Sequence, residues 1–329
     1  MFQHIIENVP DYTHFLTVDE MNENTKLLAD KYPDIVEVIE AGKSETGDPI
    51  YCLKIGKGSK NALLYGCPHP NEPIGAMMLE YLSTCLAEDK EFREKLDYTW
   101  YIVKCSDPDG TKLNEKWFKG PFTISNYARN FFRPPAIKQV DWNFPIKYKE
   151  LDFSTPMKET KALMKVIEWA KPSFVYPLHN SGFGGAYWYM SYGMPEINES
   201  LNQIPKRNGV PLSLGDPEAP YSEVFGPAIF KTLSMKDEYD YLEKYSMEKP
   251  GDIIKCGTCG LDYAIEIAAG KEVFGLVTEV PYFYDKRIDD ISETEALKSD
   301  IILETCELQE ESYKKITNYN KYFSSYAKT

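Results

Sequence analysis

Histidine is scarce in this chain: four residues of 329 (His4, His14, His69 and His179) carry an imidazole. A basic surplus is also missing. Lys and Arg number 37 against 51 Asp and Glu, a net charge of −14. That balance excludes the clustered positive charge of a nucleic-acid surface and disfavours docking on anionic lipid. No apolar run reaches the roughly 18 residues of a membrane helix, so no membrane partner is expected. The opening stretch MFQHIIENVPDY has neither a basic n-region nor a long apolar h-region. No signal peptide is therefore expected, and a cytoplasmic location is. A disulfide framework is absent too: the seven cysteines are an odd number scattered along the chain, several inside apolar runs. Reduced, buried thiols are the expectation.

The rest of the pattern alternates strands with helices. Thr17-Val18-Asp19-Glu20 fits a capping box opening a helix that runs to about Tyr32, where Pro33 stops it. Residues 34–39 and 50–55 read as a strand hairpin, and 61–65 as a short, almost wholly apolar strand. Met78, Leu79, Leu82 and Leu86 recur at helical spacing, as do Thr160, Leu163, Met164, Ile167 and Ala170. Residues 99–103, 174–178 and 273–279 read as further strands. Residues 111–150 read as loop, and 191–250 as long and irregular with one helical patch near 235–246. Residues 291–322 close the chain as an acidic helical region with a solvated face. Strands alternating with helices define an α/β chain with a largely buried sheet. No linker stands out, so one domain over residues 1–329 is expected, with an irregular insertion at about 191–250.

Two histidines stand at strand ends. In YGCPHPNEPIG, His69 and Glu72 have the spacing H-x-x-E just past the strand 61–65. His179 follows the strand SFVYPL. Sites in open α/β sheets are built outside the carboxyl ends of strands. Two imidazoles and one carboxylate leave a fourth zinc position for water, as a catalytic site requires. Cys67 is near enough to enter a metal reading, but its place in the strand argues for packing.

Taken in order, further motifs resemble the zinc carboxypeptidase family. AGKSETGDPIYCLKIG (41–56) resembles the family's G-x-S-x-x-G-R-x-I hairpin, and PHPNEPIG its H-x-x-E segment. SDPDGT (106–111) is similar to N-P-D-G, and QVDWNFP (139–145) in part to D-x-N-R-N-F-P. YPLHNSG carries the third ligand, CGTCGLDYA (256–264) resembles G-x-S-x-D-[WY]-[AS], and VFGLVTEVPYF (273–283) resembles the strand with the catalytic glutamate. The resemblance implies a three-layer α/β/α sandwich with a mixed, mostly eight-stranded sheet. It implies one Zn2+ per chain on His69, Glu72 and His179, with Glu279 as general base and acid. It implies an arginine for the oxyanion; Arg129 is assigned that role and Arg133 the substrate carboxylate, with the order open. Asp141, Asn143, Leu261 and Tyr263 are the remaining substrate-side positions.

The chain departs from the family at the substrate end. The segment reads Asp141-Trp142-Asn143-Phe144-Pro145, without the arginine that pairs with Asn to hold a C-terminal carboxylate. A buried carboxylate needs a charged, preferably bidentate partner. Exopeptidase action is left open, with Arg133 or Lys138 as substitutes. The family's active-site tyrosine has no clear counterpart. Leu261 falls where the released side chain is read, which argues for an apolar or aromatic residue rather than Lys or Arg. Cys256-x-x-Cys259 has no second pair and reads as a loop lining the pocket. GFGGAYWYMSYG (182–193) reads equally as cleft lining and as a packed strand. The expected activity is zinc-dependent hydrolysis of a peptide bond, by removal of a C-terminal residue. Two alternatives stand beside it. One is a zinc-dependent N-acyl amino-acid deacylase similar to aspartoacylase, whose substrate would be an acyl-amino acid. The other is a non-catalytic peptide-binding protein on the same scaffold.

Overall fold

The computed structural model describes residues 2–268 and 271–323. Its strands are β1 (Val36–Lys43), β2 (Pro49–Ile55), β3 (Lys60–Tyr65), β4 (Tyr98–Val103), β5 (Ile146–Tyr148), β6 (Leu151–Phe153), β7 (Phe174–His179), β8 (Tyr187–Met190), β9 (Val224–Gly226), β10 (Ile229–Lys231) and β11 (Phe274–Glu279). The helices are α1 (Gln3–Glu7), α2 (Val18–Lys31), α3 (Ile74–Glu88), α4 (Lys90–Leu96), α5 (Pro108–Phe118), α6 (Ile124–Asn130), α7 (Lys158–Ala170), α8 (Pro195–Arg207), α9 (Met235–Tyr245), α10 (Pro250–Ile253), α11 (Gly260–Ile267) and α12 (Lys298–Phe323). The chain divides into two compact units, Met1–Asp289 and Asp290–Thr329.

Nine strands of the first unit form one mixed sheet, in the order β1-β2-β4-β3-β7-β11-β8-β10-β9. That is one strand more than expected. The pair β5-β6 forms a separate hairpin. In the centre, β4, β3, β7 and β11 run parallel, while β8 lies antiparallel to β11. These central strands are mostly apolar because both faces are covered. Side chains alternate between the faces, as strand geometry requires. Ala62 and Leu64 pack with Leu79 and Leu86 of α3 and Phe92 of α4. Leu63 and Tyr65 pack instead with Leu163, Val166 and Ile167 of α7 and Leu261 of α11.

This layering fixes where a site can form. From β3 the chain crosses to β4 through α3 and α4; from β4 it returns through α7 to β7, on the other side of β3. The carboxyl ends of β3 and β7 therefore border the crevice where strand order reverses.

Local chemistry explains the flanking helices. The Thr17 hydroxyl accepts from the Glu20 amide at 3.2 Å and the Glu20 carboxylate accepts from the Thr17 amide at 2.7 Å, completing the expected capping box of α2. Helix α3 starts against β7, and a Cβ on Gly75 would lie 2.4 Å from the Cβ of Leu178. Only glycine permits that approach beside His179. Helices α5 and α6 occupy ground read as loop in the sequence, and α8, β9 and β10 lie within 191–250. Proline is tolerated in a first turn, and Pro108 and Pro195 stand at the starts of α5 and α8, where they read as loop. In the second unit, α12 exposes Glu304, Glu307, Glu310 and Glu311, with an i,i+4 pair from Lys314 to Glu310 at 2.8 Å.

Asp107 caps α5, its Oδ1 accepting from the Gly110 amide at 2.8 Å. Burial pushes its carboxyl up to about 7, partly opposed by that hydrogen bond. An unfolded Asp titrates near 3.9, so the folded group holds its proton longer. Stability contributed by this group therefore falls as pH rises from about 4 to about 7, and is flat above. Asp107→Asn keeps the capping oxygen and removes the charge. We expect it to raise Tm, and by more at pH 8 than at pH 5. Thermal denaturation at both values checks this; an equal shift at the two would contradict it.

Candidate active site

Three neighbouring strand ends supply the site. His69 and Glu72 lie on the turn between β3 and α3, His179 ends β7, and Glu279 ends β11. His179 and Glu279 are register partners across parallel strands. All four are buried: His69 is 4% exposed, Glu72 2%, His179 8% and Glu279 9%. They line one cavity of about 380 Å³, together with Arg133, Asp141 and Leu261.

The turn carrying His69 is tied down from several directions. The Ser106 hydroxyl, from the SDPDG segment, lies 2.8 Å from the Gly66 carbonyl and 3.0 Å from that of Cys67. Cys67 adopts a left-handed backbone (φ 48°). The Ile74 amide donates to Asn180 Oδ1 at 3.0 Å, which joins α3 to the residue after His179. The Tyr282 hydroxyl bridges the Asn71 carbonyl (2.6 Å) and Asn180 Oδ1 (2.9 Å). Residues just past all three strand ends are thus linked.

Inside this frame the polar atoms converge. Glu72 Oε1 accepts from Arg133 Nη1 at 2.7 Å, and Oε2 lies 2.9 Å from His179 Nδ1. The other nitrogen of His179 lies 3.2 Å from Asp141 Oδ2. Asp141 Oδ1 accepts from the Tyr65 hydroxyl (2.9 Å) and the Gly260 amide (3.0 Å). The His69 ring centroid is 5.0 Å from that of His179, and His69 Nδ1 is buried with no hydrogen-bond partner. An orphaned buried donor or acceptor is costly, and a cation at this place would satisfy it. Burial lowers the pKa of His69 well below its ordinary value, helped by the charges of Arg133 and His179. For His179, burial opposes the charge, but the carboxylates of Glu72 and Asp141 outweigh it and lift the pKa well up. Burial also raises the Glu279 carboxyl well above the carboxylate range, against the pull of His179.

Ligand atoms of His69, Asp141 and His179 lie within 4.8 Å of one another, the one such cluster of His, Cys, Asp and Glu among the described residues. The donor set fits a divalent cation. Asp141, expected at the substrate side, instead faces His179.

Other expected residues are placed differently. Arg129 is exposed on α6 and does not line the cavity, whereas Arg133 does. The Asn143 amide is spent on its own loop, donating to the Ile137 carbonyl (2.7 Å) and accepting from the Met157 amide (2.5 Å). Tyr263 stacks near Phe144 at 5.3 Å and reaches Glu168 at 3.4 Å, away from the cavity. Lys138 lines a separate cavity beside Glu45 and Asp107. Strand β8 both packs and lines the cavity, through Tyr187 and Tyr189. Cys259 lines the cavity too, and its sulfur accepts from the Asp262 amide at 3.4 Å to cap α11. All seven cysteines are free. Tyr187, Tyr189 and Glu218 line the cavity without having been singled out. The aromatic run at 182–193 was the only signal for the first two.

The chain belongs to the zinc carboxypeptidase family, whose pattern (Peptidase_M14) matches residues 21–209, more than half its length. It is 30% identical over 128 residues to zinc carboxypeptidase A 1 of Anopheles gambiae, a match covering 34% of this chain and 29% of that protein. The chain thus spans under a third of that relative's length. Its fold resembles carboxypeptidase A from Helicoverpa armigera, with a TM-score of 0.51 at 14% identity over 84% of this chain and 69% of the other. It also resembles a candidate metallopeptidase from Shewanella amazonensis, with a TM-score of 0.53 at 12% identity, covering 80% and 85%. No helix among the described residues is long and apolar enough to cross a membrane.

Proposed function

We propose that the chain hydrolyses a peptide or related amide bond with the help of one bound zinc ion. The observation that carries this reading is the convergence of His69, Glu72, His179 and Glu279 on one cavity, with His69 Nδ1 left unpartnered. His69, Glu72 and His179 would hold the metal. Asp141 faces the opposite ring nitrogen of His179 from Glu72. A carboxylate on the outer nitrogen of a ligating histidine fixes its tautomer and raises its basicity. With Glu72 taken as the ligand, Asp141 becomes the orienting partner. When bound, zinc lowers the pKa of water towards about 7 and polarises a carbonyl.

The chain's own groups do the rest. Glu279, buried beside His179, takes a proton from the attacking water and delivers it to the leaving nitrogen. Arg133 is the cavity's guanidinium and takes the oxyanion role in place of Arg129. Its pairing with Glu72 sets its position before substrate arrives.

Removing zinc with a chelator and restoring it tests the reading. Peptide hydrolysis is expected to vanish and return with the metal; activity that survives chelation would sink it. Arg133→Met is expected to lower kcat by about a hundredfold to a thousandfold, with KM changed far less. A purely KM effect would assign Arg133 to substrate binding instead.

A further inference from the structure

The cavity lacks what a free α-carboxylate needs. Among the described residues, Arg133 is the one Lys or Arg that lines it, and the mechanism proposed above already assigns that guanidinium to the oxyanion. Position 144 offers no replacement. Phe144 is fully buried, and its amide donates to the Thr258 carbonyl at 3.1 Å. Arg129 and Lys138 lie elsewhere.

The opposite charge is present. Glu218, on the loop between α8 and β9, lines the cavity. Its Oε1 accepts from the Tyr187 hydroxyl, and its amide donates to the Tyr189 hydroxyl at 3.4 Å. Two β8 side chains therefore fix the position of this carboxylate at the cavity wall. No Lys or Arg pairs with it among the described residues. The same cavity offers apolar surface from Leu233, Leu261 and Val277.

We infer that Glu218 reads an ammonium group, on an aliphatic stem, in the leaving portion of the substrate, and that no free C-terminal carboxylate is required. This rests on the hydrolase reading above. An ammonium donates a charge-assisted hydrogen bond to a carboxylate held in this way. Its methylene stem packs on apolar surface while the charged head stays polar. Leu261 alone points to an apolar residue; the stem satisfies Leu261, and the head satisfies Glu218.

Calorimetric titration of the zinc-loaded full chain with three small amines tests this without relying on turnover. L-Lysinamide is expected to bind at least as tightly as L-lysine, because the carboxylate gains nothing. It is expected to bind about tenfold more tightly than L-leucinamide, which lacks the side-chain ammonium. Glu218→Gln is expected to erase the lysinamide preference, and Glu218→Asp to restore part of it. Lysine binding tenfold more tightly than lysinamide would overturn the proposal. So would equal binding of lysinamide and leucinamide, no binding of either, or a preference unchanged in Glu218→Gln. Glu218-dependent lysinamide binding in a protein that cleaves no peptide would keep Glu218 as an ammonium site but defeat the hydrolase reading and, with it, the assignment to a leaving portion.

Discussion

Glu279→Gln is expected to lower kcat for peptide hydrolysis by about a thousandfold, within the range that general acid–base groups supply. The substitution is nearly isosteric. Glu279 is 9% exposed, and the amide has nearly the same size and shape as the carboxyl, so it fits the site without a packing defect. Zinc content and Tm are expected to hold. Those two readouts separate a lost proton carrier from a lost fold or a lost metal. The register supports the choice, since Glu279 pairs with His179 on one side and with Tyr187 on the other. Among the described residues, no other carboxylate shares that strand-end position. Activity within tenfold of the parent would remove Glu279 from the chemistry.

The second large effect concerns the metal and divides two carboxylates. Glu72 and Asp141 face opposite nitrogens of His179, at 2.9 Å and 3.2 Å. Outer partners of ligating histidines typically contribute ten- to a hundredfold in metal affinity. Asp141→Asn is therefore expected to weaken zinc binding by roughly that amount. Glu72→Gln removes a ligand charge and is expected to weaken it by more than roughly a hundredfold, beyond the outer-partner range. Competition with a chromophoric chelator measures both. The reverse order would make Asp141 the ligand, with His69 and His179, and Glu72 the partner of Arg133.

Legibility in the sequence followed the range of the interactions involved. Strands β3 and β7 are short apolar runs ended by glycine or histidine, and their burial on two faces writes itself into composition. Helix α2 is announced by its capping box, and α3 and α7 by a one-sided stripe. His69, His179 and Glu279, which line one cavity, were legible because they follow or end such strands. What stayed hidden depends on distant partners. Tyr282 reaches the Asn71 carbonyl at 2.6 Å from the far end of the chain. Ser106 fastens the carbonyls of Gly66 and Cys67 from another loop. Glu218 is one acidic residue among many until Tyr187 is seen to hold it. Arg129 and Arg133 look alike in NYARNFFRPP. They separate because α6 ends at Asn130 and exposes the first, while the chain beyond carries the second to Glu72. Asn143 looked like a substrate contact, yet its amide holds the loop that leads into α7.

The most direct measurement is an anomalous difference map at the zinc edge, from crystals of the zinc-loaded chain. The account predicts one strong peak within ligand distance of His69 Nδ1, a Glu72 oxygen and His179 Nδ1, with Asp141 on His179 Nε2. A peak ligated by Asp141 while Glu72 remains on Arg133, or no peak between the two histidines, would contradict it.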